Sequence, residues 1–158
     1  MQEQKNDSAI LRRNIVSEDP NKKVFERVIE QAYNKGNVDV LNEAFAPNFV
    51  EHQAGIVPPK AEGVKRSIAF LRGAFPDLEL TIEEIITNGD KTWARITGRG
   101  THQGPFMGLP PSGRAFTITV MDVCRFENGQ IVEHWGVADQ LSVMAQIGAL
   151  PSLPQLRP

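Results

Sequence analysis

Residues 114–139 read RAFTITVMDVCRFENGQIVEHWGVAD. Asn128-Gly129 is the dipeptide favoured in a two-residue type I′ turn, and alternating apolar residues flank it on both sides. A hairpin is therefore expected, with strands over residues 114–127 and 130–138. If Asn128 and Gly129 are the two turn residues, Glu127 faces Gln130 and Phe126 faces Ile131. Continued without interruption, the pairing sets Cys124 against Glu133, Asp122 against Trp135 and Val120 against Val137. Side chains alternate between the faces of a strand. One face then collects Phe116, Ile118, Val120, Asp122, Cys124 and Phe126 with Ile131, Glu133, Trp135, Val137 and, at its end, Asp139. So apolar a face must point at the rest of the chain, which leaves His134 on the other side, near Arg125.

Carboxylates on that inward face need an explanation. A carboxylate among apolar side chains loses hydration and must find hydrogen bonds, a positive partner or a proton. Asp122 lies in mid-strand, and a desolvated carboxylate beside a cavity is suited to general acid/base chemistry. The alternative is a structural Asp122 tied to a backbone amide, a tyrosine or an arginine such as Arg95. Glu133, nearer the hairpin tip, reads as solvated. Asp139 precedes a final helix and fits its N-cap, a role compatible with catalysis. His134 reads as a proton shuttle or a residue of a subunit contact, and Trp135 as core or pocket wall. Cys124 reads as a small buried thiol.

Outside the hairpin, apolar residues recur at helical spacing over residues 24–33, with Gly36 as the stop. A short helix is expected over 38–45, an extended segment over 49–53 and a third helix over 61–74, closed by Phe75-Pro76-Asp77. The period then changes to two. Strands follow at 78–86, with a bulge or register change at Ile85-Ile86, and at 91–102. Residues 103–113, with three glycines and three prolines, read as a flexible lid. Leu141, Met144 and Ile147 mark a terminal helix ended by Gly148. Helices followed by a meander of antiparallel strands predict an α+β fold. The organisation expected is a polar N-terminal arm (1–19), one domain (20–150) and a C-terminal tail (151–158).

Composition narrows the function classes. The chain has 158 residues, with 19 acidic against 17 basic side chains and a formal charge of −2. That balance argues against nucleic acid as a partner. At 41% hydrophobic residues the chain can build a core. A single cysteine excludes an intramolecular disulfide and a multi-cysteine zinc site. His52, His102 and His134 have no metal-ligand spacing, so no metal is expected. No apolar run reaches the length of a membrane span and the N-terminus is polar, which predicts no membrane association and a cytoplasmic location.

The order of elements resembles the cone-shaped nuclear transport factor 2-like fold. Five motifs narrow the likeness: Phe49-Val50-Glu51-His52-Gln53, Phe75-Pro76-Asp77-Leu78, Gly104-Pro105-Phe106-Met107-Gly108, Glu133-His134-Trp135 and Asp139-Gln140-Leu141. Over residues 20–150 the chain resembles the SnoaL-like polyketide cyclase (ester cyclase) family. The resemblance implies a pocket between helices and sheet, a small-molecule ligand, and a homodimer or homotetramer built through the sheet. It also implies ring closure by intramolecular aldol condensation without metal or organic cofactor. An aspartate at the end of the last strand serves as acid/base in such enzymes, which transfers to Asp139, and the assisting histidine falls on His134. Some members carry an acidic residue directly after the His-Trp pair, where this chain has Gly136; the role then falls to Asp122 or Asp139. His52, Trp135, Phe75, Phe106 and Met107 are the expected substrate-binding residues.

Three functions compete. The first is a cofactor-independent acid/base enzyme acting on a hydrophobic, carbonyl-bearing small molecule. The second, epoxide hydrolysis as in limonene epoxide hydrolases, needs an Arg-x-Asp pair, and the chain has Arg95-Ile96-Thr97 and Arg99-Gly100-Thr101 instead. The third is a non-catalytic ligand-binding or assembly domain of the same fold, with Asp122 as an anchor and Asp139 as a cap.

Overall fold

A computed structural model describes residues 19–150. The proposed arm, apart from Asp19, and the tail lie outside the described residues. Asp19 caps the first helix, its carboxylate accepting from the backbone N–H groups of Asn21 and Lys22, and Pro20 occupies the first turn. Helix α1 (Pro20–Arg27) runs into a π-helical continuation, Val28–Asn34. A short 3-10 turn (Val38–Val40), helix α2 (Leu41–Ala44) and strand β1 (Phe45–Glu51) follow, and then the longer helix α3 (Ala61–Ala74). The second half is β2 (Glu79–Asn88), β3 (Lys91–Thr101), β4 (Ala115–Glu127), β5 (Gln130–Ala138) and α4 (Gln140–Gln146). This is the expected α+β succession. Phe45, expected to end a helix, instead opens β1.

The five strands form one curved, unclosed sheet in the order β1-β5-β4-β3-β2. Strands β2 to β5 are the antiparallel meander read from the sequence. Strand β1 differs: it pairs in parallel with β5, setting Glu51 beside His134. The irregularity in β2 falls between Ile82 and Glu84, ahead of Ile85-Ile86.

Two buried clusters hold the helices to the concave face. One joins Phe25, Ile29, Leu41, Phe49 and Ile68 to Ala94, Ile96, Cys124 and Ile131 of the sheet. The other joins Phe75 and Phe106 to Phe116 of β4, to Val143 of α4 and to Ile147 at its C-cap. Two polar ties fix the end of the first helix. Asn34 brackets Leu80 through both its amide atoms (2.8 and 3.0 Å), and the Arg72 guanidinium donates to the carbonyls of Tyr33 and Asn34 (3.0 and 2.9 Å). No helix of the described residues is long and apolar enough to cross a membrane.

Candidate active site

The β4–β5 hairpin turns at Asn128 and Gly129, both with positive φ (50° and 77°), as a type I′ turn requires. Glu127 pairs with Gln130 and Phe126 with Ile131, but Arg125 then pairs with Glu133. A bulge has inserted Val132. It allows Ile131 and Val132 to be buried together, at 1% and 2% exposure. One extra residue exchanges the faces of everything beyond it. The expected Cys124–Glu133 and Asp122–Trp135 pairs are corrected to Cys124–His134 and Asp122–Gly136. His134 therefore turns to the concave side, and Glu133, Trp135 and Val137 turn to the convex side.

This correction assembles a buried trio. The His134 ring is flanked by two carboxylates: Nδ1 lies 2.8 and 2.9 Å from the two oxygens of Glu51, and Nε2 lies 3.4 Å from Asp122 Oδ1. Glu51 ends β1 and its side chain is only 1% exposed. Its Oε1 also accepts the backbone N–H of Gln53 at 2.8 Å. Burial by itself pushes the imidazole down. Hydrogen bonding and the negative charges of Asp122 and Glu51 outweigh it and hold His134 up at about 9. At neutral pH His134 is therefore held as an imidazolium between the carboxyl groups of Glu51 and Asp122.

Asp122 faces a cavity of about 420 Å³, with His134 and Glu51 behind it. Among the described residues the cavity wall contains no lysine, arginine or histidine, and Asp122 is its one carboxylate. Phe75, Phe106 and Met107 line it, together with Tyr33, Gln53 and Phe70. Phe75 is wedged between Phe106 and Phe116, both at 4.8 Å between ring centroids, while Met107 is largely exposed. Burial, and then the fields of Asp122 and Glu51, raise the Tyr33 phenol well above its ordinary range. Tyr33 thus presents a neutral hydroxyl to the cavity. The same two causes push up the Cys124 thiol, which stays protonated and unreactive.

Other expected residues stand elsewhere. Asp139 is exposed at the start of α4 and absent from the cavity wall. Its Oδ2 accepts the Ser142 hydroxyl at 2.6 Å and its Oδ1 the Ser142 N–H at 3.0 Å, which keep its carboxyl below the usual range. The capping role is the one the geometry gives it. Trp135 and His52, expected at the substrate, instead stack on each other outside the cavity, 4.6 Å between centroids and 7° between planes. His52 Nε2 lies 3.0 Å from Glu133, which also binds Arg125. Arg95 is bound to Glu84 at 2.9 Å and pairs with Met121 on the convex side, so it is no partner for Asp122. The 103–113 segment is pinned at both ends: Gln103 and Gly104 N–H donate to the Ala74 carbonyl, and His102 exchanges backbone bonds with Gly113 and Arg114.

Sequence reasoning passed over Glu51, Tyr33 and Gln53. Glu51 left one signal, a carboxylate directly after the apolar pair Phe49-Val50, but only the parallel pairing with β5 discloses its partner.

The model of the SnoaL-like polyketide cyclase family matches residues 23–147. The aklanonic acid methyl ester cyclase DauD of Streptomyces sp. (strain C5) is 30% identical over 132 residues, covering 79% of this chain and 80% of the relative. Among solved structures, TsrD from Streptomyces laurentii superposes with a TM-score of 0.75 at 30% identity, over 83% of this chain and 96% of that one. IdmH from Streptomyces antibioticus does so with 0.73 at 35% identity, over 81% and 98%.

Proposed function

The chain belongs to the SnoaL-like polyketide cyclase family, and from that membership we propose that it closes a ring within one uncharged, carbonyl-rich molecule by intramolecular aldol condensation, without a cofactor. The observation that carries this reading is Asp122, the one charged side chain among the described residues of the cavity wall, backed by the buried His134–Glu51 pair. Asp122 takes a proton from a carbon next to a carbonyl, and the enolate carbon bonds to a second carbonyl carbon of the same molecule. The oxygen of that second carbonyl then takes the proton back from Asp122, so no atom is gained or lost. His134, as imidazolium, offsets the charge of Asp122 and is the second proton source, with Glu51 fixing its ring. The apolar walls hold the chain folded with its carbonyls close together, and that proximity supplies much of the acceleration.

The sign of the charge in the cavity bears on the substrate. A free carboxylate would meet Asp122 with no cation among the described wall residues to receive it. An ester masks that charge, and DauD is named for the methyl ester of aklanonic acid. Aklanonic acid methyl ester is therefore the first probe. The wild-type chain should convert it to an isomer of equal mass, followed by liquid chromatography and mass spectrometry. Asp122→Asn should slow conversion at least about a hundredfold, within the usual contribution of a positioned acid/base. Equal rates in the two proteins would remove Asp122 from the chemistry. No conversion of this ester by the wild type would favour the ligand-binding reading.

Assembly belongs to the same reading. Ile86, Trp93, Met121, Trp135 and Val137 are exposed, and their cross-strand pairings put them on the convex face. Exposed apolar surface of this kind marks an interaction site, and a second copy of this chain is the occupant we propose.

A further inference from the structure

Gly136 faces Asp122 across the β4–β5 pair. A Cβ added there would stand 2.3 Å from Gln53 Oε1, 2.8 Å from His134 Cε1 and 2.9 Å from Asp122 Oδ1. Three polar side chains thus converge on space left open because residue 136 has no side chain. Two of them are paired with each other. The third is not: the side-chain amide of Gln53 lines the cavity and makes no hydrogen bond among the described residues. Its main chain, by contrast, is held by the N–H bond to Glu51 Oε1, the oxygen that also meets His134 Nδ1. The amide is tethered to the trio and its two N–H donors remain unused.

The Gln53 atom nearest this space is the acceptor Oε1; no hydrogen bond among the described residues fixes the amide, so a half-turn of its end group brings the Nε2 donors to the same place. A neutral donor there, beside a proton-accepting carboxylate, stands where charge develops on the substrate. When the α-carbon loses its proton to Asp122, the C–H electron pair forms the enolate C=C bond and the carbonyl π pair moves onto oxygen. That oxygen becomes the negative centre, and a fixed donor there acts more strongly on the transition state than on the ground state. We propose that Gln53 binds the carbonyl oxygen of the carbon that Asp122 deprotonates and stabilises the enolate formed there, an inference that rests on the cyclase reading. Gln53 is then a specificity residue as well. It selects, among the several carbonyls of a polyketide, the one whose neighbour is deprotonated.

The test uses the full chain, aklanonic acid methyl ester as substrate, and 1,8-dihydroxyanthraquinone as an uncharged probe whose ionisation is read in its visible absorption. Gln53→Leu removes the donors at similar volume, and Gln53→Glu keeps the shape but replaces the donors with a charge. Both should lower kcat about a hundredfold while KM stays within about threefold, the split expected for a donor that acts on developing charge. The bound anthraquinone should ionise about one pH unit lower in the wild type than in Gln53→Leu. Unchanged kcat in Gln53→Leu, or the same ionisation midpoint in both proteins, overturns the assignment, as does failure of the probe to bind the wild type. If the wild type leaves the ester unchanged but the midpoints still differ, the cyclase reading falls while the oxygen-binding role of Gln53 stands.

Discussion

The two faces of the β4–β5 ribbon carry the same chemical pair in different surroundings. On the concave face Glu51 meets His134, and on the convex face Glu133 meets His52, at 2.8 and 3.0 Å. The concave pair is mostly buried, with side chains 1% and 11% accessible, and has Asp122 as a third member. The convex pair is half exposed, with side chains 36% and 26% accessible, and Arg125 competes for Glu133. Distance alone would rank the two pairs as equals. Burial separates them, because water weakens the attraction between exposed charges and the removal of water makes a buried charge depend on its partner.

The largest separation is expected at the concave pair. Glu51→Ala leaves an imidazolium buried with one carboxylate instead of two, and should cost about 3 kcal/mol of stability, measured by chemical denaturation. The titration of His134 sharpens the contrast. Its value in the fold, about 9, lies above the ordinary 6.5, so the folded state holds the proton more tightly than the unfolded state. The stabilisation is complete below pH 6.5 and is lost as pH rises through about 9. Across that window the wild type should lose stability relative to His134→Gln, which has no such proton. Turnover should show an alkaline limb near pH 9 that the variant lacks. A wild-type stability curve parallel to that of His134→Gln would mean that the two carboxylates do not hold the imidazole charged.

A smaller effect is expected for the apolar part of the convex face. Val137 is 71% exposed and pairs with Met121, itself half exposed. Val137→Glu should leave monomer stability nearly unchanged, since surface substitutions fall within about 0.5 kcal/mol. If a second copy covers this face, the variant should run as a monomer in light scattering at concentrations where the wild type is a dimer or tetramer. Wild type and variant of equal mass would show that this face is not the contact.

The divergence between the faces also marks where the sequence could be read and where it could not. Periodicity and turn residues gave α3, β3, the type I′ turn and α4 close to their bounds, because each depends on local spacing. Asp122 was recognisable as a carboxylate in an apolar row. The facing of His134, Glu133 and Trp135 was misread because bulging at Val132 is decided by the burial of both Ile131 and Val132, not by the turn. Glu51 could not be assigned a partner, since a parallel β1–β5 contact joins residues 83 positions apart. The cap at Asp139, read from its place before α4, is local and was legible. In this fold the chemistry that depends on a long-range register is the part hidden from the sequence.

The smallest expected effect tests the comparison from its weak side. Glu133→Gln removes the charge that His52 and Arg125 share, and the hydrogen bonds of Arg125 and then His52 hold that carboxyl below the usual range. In a buried site, loss of such a group would leave both its partners unsatisfied. Here Arg125 keeps Glu127 at 2.6 Å, and His52 keeps its stacking on Trp135. Water reaches every member of the cluster, so the cost should stay below about 1 kcal/mol and shrink further in high salt. Turnover should be unchanged, because none of these side chains lines the cavity. A loss comparable to that of Glu51→Ala would mean that the convex cluster is desolvated in solution. On this face that requires a covering surface, so the outcome would place Glu133 inside the subunit contact rather than at its rim.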